Sequence, residues 1–340
     1  MKKLFALIAA LLLAPLILFL NVAAAEETKP KPAYAWPFTT ENGLIHLWLP
    51  KDIPAIKGLL VFPYHGTGEQ WSRSPEVQEL AKELGCGIVA FDQLGLLPDG
   101  TKLGFPGTEK SPDTRLLEAL SELARKSAHH EVEHVPLCLF GHSNATAFVS
   151  GFGSKHPERV FAWIAFKSAF GKQFSVPAIY PIPGLVLSGE NDTSYFQDQL
   201  ATVKKLRKEH HARMNMIVEP AGGHWGEGPR GTQTLPIVTA FIRTAFQLRV
   251  PAAADASQGP PKLIDAAEEK GWLGQNLDGV RVRDKEFKWS WENPVVVGQL
   301  LDIAPYTQFA GDKSEASWLP TEEYARKWQE FCHTGKLKKP

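Results

Sequence analysis

Residues 137–145 read Leu-Cys-Leu-Phe-Gly-His-Ser-Asn-Ala. An apolar, strand-like run ends in Gly-x-Ser-x-Ala and passes into a helix-like segment. A strand that turns sharply into a helix at a serine lifts the hydroxyl above the top of a sheet, which is the layout of a nucleophile elbow. Small residues two before and two after the serine keep the crossing backbones apart. Gly141 fills the first of these positions, and Ala145 stands where a second glycine is more usual. The motif alone is weak. Its value is that it says where an oxyanion loop, an acid and a histidine should fall.

On both sides of this stretch, strand-like and helix-like segments alternate from about residue 40 to 248. Strands are predicted at 45–49, 58–62, 87–91, 135–140, 160–166, 184–187 and 214–218. Between them, Ser74 caps a helix that Pro75 opens and Gly85 stops, with Val77, Leu80, Ala81 and Leu84 as its apolar stripe. Leu116, Leu117, Leu120, Leu123 and Ala124 stripe a second helix, and 195–209 and 236–248 read as two more. Strands alternating with helices imply an α/β fold, a mostly parallel sheet covered on both faces.

Each partner of the serine should sit on a loop at the carboxyl end of a strand, where open parallel sheets form their sites. His65-Gly66-Thr67-Gly68 follows an early strand, and the backbone N–H groups of Thr67 and Asn144 are the expected oxyanion donors. Gly189-Glu190-Asn191-Asp192 follows a later strand. Asp192 is the expected acid and Glu190 the competing carboxylate. Gly222-Gly223-His224-Trp225 follows the last strand and supplies the base, His224. Taken singly, these have plain readings as turns, helix caps or inert loop residues. The oxyanion loop, Ser143, Asp192 and His224 fall at four correct strand ends, and the chain order Ser143, Asp192, His224 is that expected of this layout, which makes them a joint signal for Ser143 as nucleophile.

These stretches resemble the α/β-hydrolase superfamily over about residues 40–248, and are most similar to compact esterase-type members such as dienelactone hydrolases and feruloyl- or polyester-cleaving enzymes. The resemblance implies a serine hydrolase, with carboxylic ester hydrolysis as its expected reaction. A serine peptidase and a non-catalytic binding protein on the same scaffold are the alternatives.

Residues 1–25 read as a secretory signal peptide, with Lys2 and Lys3 before an apolar run to Leu20 and small residues ahead of Glu26. An uncleaved membrane anchor is the rival reading. The expectation is export, to the periplasm or outside the cell, without stable membrane insertion after cleavage. Residues 26–250 form the expected hydrolase domain, 251–261 a Pro- and Ala-rich linker, and 262–340 an appendage holding five of the ten tryptophans. Residues 280–291 suggest a strand or hairpin, and 321–331 a short helix. The appendage is too apolar for a disordered extension and is expected to fold and pack on the domain. The rival is an independent carbohydrate-binding module with exposed tryptophans.

Lysine plus arginine equals aspartate plus glutamate at 37 each, which implies no nucleic-acid partner. Three cysteines permit at most one disulfide, and Cys138 reads as a buried free thiol. His129-His130 and His210-His211 end predicted helices, no metal-ligand spacing occurs, and no cofactor is implied. Residues 171–183 leave room for a short loop rather than a large lid, so an open site for a small or polymer-linked ester is expected. Trp71, Trp225 and His142 are the candidate substrate-contacting residues, with core packing the alternative for each tryptophan.

Overall fold

The computed structural model describes residues 36–338, except 65, 92–110, 169–175, 193–195, 226–232, 278–280, 284–288 and 292–297. The signal-peptide expectation lies outside the described residues.

Eight strands form one sheet: β1 (Phe38–Thr39), β2 (Ile45–Trp48), β3 (Gly58–Pro63), β4 (Cys86–Phe91), β5 (Leu137–His142), β6 (Val160–Phe166), β7 (Gly184–Gly189) and β8 (Met214–Glu219). Their order is β1-β2-β4-β3-β5-β6-β7-β8. β3 to β8 run parallel, and β1 and β2 are antiparallel at one edge. Every residue of β3 to β8 is buried, as strands covered on both faces require.

The helices follow from connection handedness. The chain steps from β3 out to β4, then back across β3 to β5, so right-handed crossovers place the two connecting helices on opposite faces. α1 (Gly68–Ser72) and α2 (Pro75–Leu84) make the first connection, and α3 (Pro112–Ser127) lies in the second. α4 (Thr146–Lys155) packs on α3, while α6 (Leu235–Arg249) packs on α2; α5 (Phe196–His210) lines β7 and β8. The ends of α2 show why it forms where it does. Ser74 Oγ accepts from Val77 N–H, Pro75 opens the first turn, and Gly85 closes the helix at φ +68°. This mostly parallel sheet, with helices on both faces, is the α/β-hydrolase fold.

Beyond α6, residues 251–261 carry no helix or strand. A three-stranded antiparallel sheet follows, in the order β12 (Ile303–Pro305), β9 (Trp272–Gly274), β13 (Ser317–Leu319). A two-stranded ribbon pairs β10 (Arg281–Arg283) with β11 (Trp289–Trp291), and α7 (Glu322–Thr334) ends the chain, capped by Thr321. Leu319, Tyr324, Trp328 and Phe331 join the same buried apolar cluster as the main sheet. Trp318 and Trp328 are 1% exposed, so neither is a stacking platform for a ligand.

The tail also covers the open edge of β8. Met216 N–H donates to Ser317 Oγ at 2.8 Å, and Trp328 Nε1 donates to Met216 O at 3.0 Å. An uncovered edge strand would present unpaired backbone groups to other chains. Arg207, fully buried on α5, pins the tail by donating to Ala316 O and to Glu268 Oε1. No helix among the described residues is long and apolar enough to cross a membrane.

Candidate active site

The carboxyl ends of β5, β7 and β8 lie at the same end of the parallel sheet, with β6 between β5 and β7, so their following loops share that end. Ser143 comes first. It follows His142, the last residue of β5, and adopts φ +52°, a left-handed conformation uncommon for a residue with a Cβ. A short 3-10 turn over Ser143–Ala145 then runs into α4. Gly141 is needed for this crossing: a Cβ there would stand 2.8 Å from Thr146 N. Ser143 is half-buried at the site, and Ala145 is buried beneath it.

Two loops bring the other candidates together. His224 Nδ1 lies 3.0 Å from Asp192 Oδ2, and the aspartate side chain is 8% exposed against 32% for the histidine. Asp192, on the loop after β7, therefore occupies one ring nitrogen, and Nε2 is the ring atom left for proton exchange. The ring centroid of His224 lies 4.8 Å from that of His142, the chain neighbour of Ser143. Glu190 has a different job. Its Oε2 accepts from Ala221 N–H at 2.7 Å and clasps the acid loop to the histidine loop. Asn191 reinforces the clasp, with its N–H on Gly222 O and its side-chain amide on Ala221 O. The loops cross so closely that a Cβ on Gly189 would meet Gly222 O at 2.3 Å.

Three expectations are corrected here. The Thr67 N–H does not open onto the site: it donates to His142 Nδ1 at 2.8 Å, and Thr67 is wholly buried. His142 is likewise buried, edge-on to Phe166 and Trp225, so it supports the site floor and does not reach substrate. Trp71 is 1% exposed and packs on Phe140 and Phe166 at 4.9 and 5.0 Å, which makes it core. Asn144 is exposed in the opening turn after Ser143, where backbone N–H groups point away from the helix body. Trp225 is 48% exposed, with its ring edge-on to those of His224 and His142.

Sequence reading missed the polar groups under these loops. Lys167, at the end of β6, donates its ammonium to Glu219 Oε2, and both side chains are fully buried. Burial pushes the Lys167 ammonium below its ordinary pKa, while the charges of Glu219 and Asp192 push it back up. Ser188 Oγ donates to Gln199 Oε1, whose amide donates to Ser168 O. Residues 52 apart in sequence leave no spacing signal, and only the sheet brings them together. All three cysteines, Cys86, Cys138 and Cys332, are free and buried. Among the described residues, no group of three or more His, Cys, Asp or Glu side chains gathers as a metal site would.

The strand order and the strand-end loops define the α/β-hydrolase architecture. No family model matches the sequence, and no curated protein does. Similar solved structures include an S-formylglutathione hydrolase from Agrobacterium tumefaciens, 14% identical, with 55% of this chain and 86% of that one covered at a TM-score of 0.42. A dienelactone hydrolase from Anabaena variabilis is 17% identical, with 61% and 92% covered at 0.41. A carboxyl esterase from Tuber melanosporum is 13% identical, with 62% and 85% covered at 0.43.

Proposed function

We propose that this protein is an exported serine hydrolase that cleaves a carboxylic ester through an acyl-enzyme. The observation that carries the reading is Ser143 held at φ +52° after β5, next in the chain to His142, whose ring lies 4.8 Å from that of His224, a histidine whose Nδ1 is engaged by Asp192. A strained nucleophile persists only where the surrounding structure enforces it.

In this scheme the Ser143 hydroxyl passes its proton to His224 Nε2 as its oxygen attacks the ester carbonyl. Asp192 fixes the ring tautomer and stabilises the imidazolium that forms. The imidazolium then protonates the leaving alcohol, and the ester C–O bond breaks. Water repeats the sequence on the acyl-Ser143 ester and releases the acid. The Asn144 N–H serves as one oxyanion donor. The Thr67 N–H, already bonded to His142, is not the second while that bond holds. Trp225 walls the open side of His224 and offers a ring to the acyl or alcohol group.

A panel of p-nitrophenyl esters, feruloyl esters, acetylated sugars and aminoacyl amides tests the reaction class. Turnover of esters that disappears in Ser143→Ala supports the proposal. Turnover confined to the amides would replace it with a peptidase, and none on any substrate would leave a binding protein.

A further inference from the structure

The tail does more than close the edge of β8. Between α5, β12 and the loop over 306–316 it leaves a cleft of about 530 Å3. Small-molecule sites span about 300–1,000 Å3, so the cleft is large enough to be one. None of its lining residues belongs to the loops that carry Ser143, Asp192 or His224. Its walls are held in place. Gln275 N–H donates to Asp302 O at 2.8 Å, which ties the residue after β9 to the residue before β12. Asn276 Nδ2 donates to Glu315 O at 2.7 Å, and Asn276 Oδ1 accepts from Ser317 Oγ at 2.7 Å. From α5, Arg207 donates to Ala316 O at 2.8 Å and to Lys313 O at 3.2 Å. Phe309 packs in the apolar cluster of Ala316 and Trp318, and with Ile303 and Ala304 it gives the cleft its apolar surface.

The polar lining divides into engaged groups and free ones. Asp312 Oδ1 accepts from Ser314 N–H at 2.8 Å and from Ser314 Oγ at 2.6 Å. Glu315 pairs with Lys208 at 3.2 Å and stands 4.0 Å from Lys204. By contrast, the side chains of Gln275, Asp302 and Gln308 are exposed in the cleft and make no hydrogen bond or ion pair among the described residues. They present two amides, each both donor and acceptor, and one carboxylate. Neighbouring sugar hydroxyls also donate and accept at once, so each amide can answer a pair of them and the carboxylate can accept two. The C–H face of a pyranose ring matches the apolar surface around Phe309. An anionic ligand would meet the unpaired Asp302 charge with Asp312 and Glu315 nearby, and a polycation would meet Lys204 on the opposite wall.

We propose that the cleft between α5 and the tail binds a neutral saccharide, with the Gln275 and Gln308 amides and the Asp302 carboxylate on its hydroxyls and a sugar ring on the surface around Phe309. The tail then carries a second binding site, one that holds the protein on a glycan whatever bond Ser143 acts on. Hydrogen bonding and a small apolar surface do this work, since Trp318 and Trp328 are buried.

The test is calorimetric titration of the full chain with xylohexaose, cellohexaose, mannohexaose and N-acetylated chitohexaose, with spermidine and trigalacturonate as charged controls. At least one neutral sugar should bind with a Kd below about 1 mM. Gln308→Ala and Asp302→Ala should each weaken that binding by about tenfold. Ala310→Trp, which fills the cleft, should abolish it. All three positions are exposed, so each variant should melt within about 1 °C of the parent and keep its turnover of a p-nitrophenyl ester. Sugar binding that Trp225→Ala removes and the cleft variants leave intact would put the sugar at the catalytic loops and overturn the proposal. So would binding of a charged control alone, or no binding of any neutral sugar at about 10 mM. Because the readout is not activity, sugar binding in a protein that hydrolyses no ester would keep the cleft and reject the reaction. Ester turnover without sugar binding would reject the cleft alone.

Discussion

Replacing Asp192 by Asn, with Glu190→Gln as its partner experiment, separates the two carboxylates of one loop. Asp192 Oδ2 lies 3.0 Å from His224 Nδ1. At an effective dielectric of about 20, a carboxylate and an imidazolium at that distance attract by about 5 kcal/mol. His224 is 32% exposed, so solvent screens part of this. About 3–4 kcal/mol of transition-state stabilisation remains, which is roughly 10²–10³ in turnover. Asparagine adds a second penalty, because its amide can donate to Nδ1 and hold the ring in the tautomer that cannot take the Ser143 proton. The expected loss in kcat is therefore roughly 10³-fold or more, with KM little changed. Glu190 accepts from Ala221 N–H near the surface, and Glu190→Gln should cost less than about fivefold. Initial rates on a p-nitrophenyl ester give both values, once melting curves show each variant folded. Equal losses in the two variants, or a larger loss in Glu190→Gln, would refute the assignment.

Other outcomes follow from the same structure. Although burial works against it, bonding to Lys155, Ser111 and His156 holds Asp113 down to a pKa of about 2. A depressed carboxylate contributes stability above its unfolded pKa of about 4 and loses it as pH falls through about 2. The stability gap between parent and Asp113→Asn, about 1–2 kcal/mol at pH 7 in urea titrations, should thus shrink between pH 4 and 2; a constant gap would contradict the cause given. Trp328→Ala should cost about 4 kcal/mol and roughly 10 °C in melting temperature, while Trp225→Ala on the surface should move it by about 1 °C; similar shifts in both would mean that the tail does not dock as described. With every cysteine buried, a thiol reagent should label none in the native protein and three after denaturation; rapid native labelling would count against that burial.

What the sequence disclosed followed pattern length. The buried strands are six or seven residues long and mostly apolar, and α2 carries both its caps and its stripe, so their reading needs no tertiary knowledge. The core position of Trp71 is not legible in the sequence, because α1 is five residues long, too short for a periodic stripe to show that it faces Phe140 and Phe166. Thr67 sits on the expected loop, but which group its N–H meets depends on where the His142 ring turns, and no spacing rule carries that. The three-residue strands of the tail cannot show alternation, and its order comes from docking against β8, Arg207 and Asn215. Lys167 and Glu219 have meaning only as a pair.

Labelling with a serine-directed fluorophosphonate shows whether Ser143 is the nucleophile. Intact-protein mass should rise by one adduct, peptide mapping should place it on Ser143, and ester turnover should vanish in step with labelling. Ser143→Ala should take up no adduct and lose roughly three orders of magnitude in kcat. An adduct on another residue, or ester turnover that survives in Ser143→Ala, would rule out Ser143 as the nucleophile.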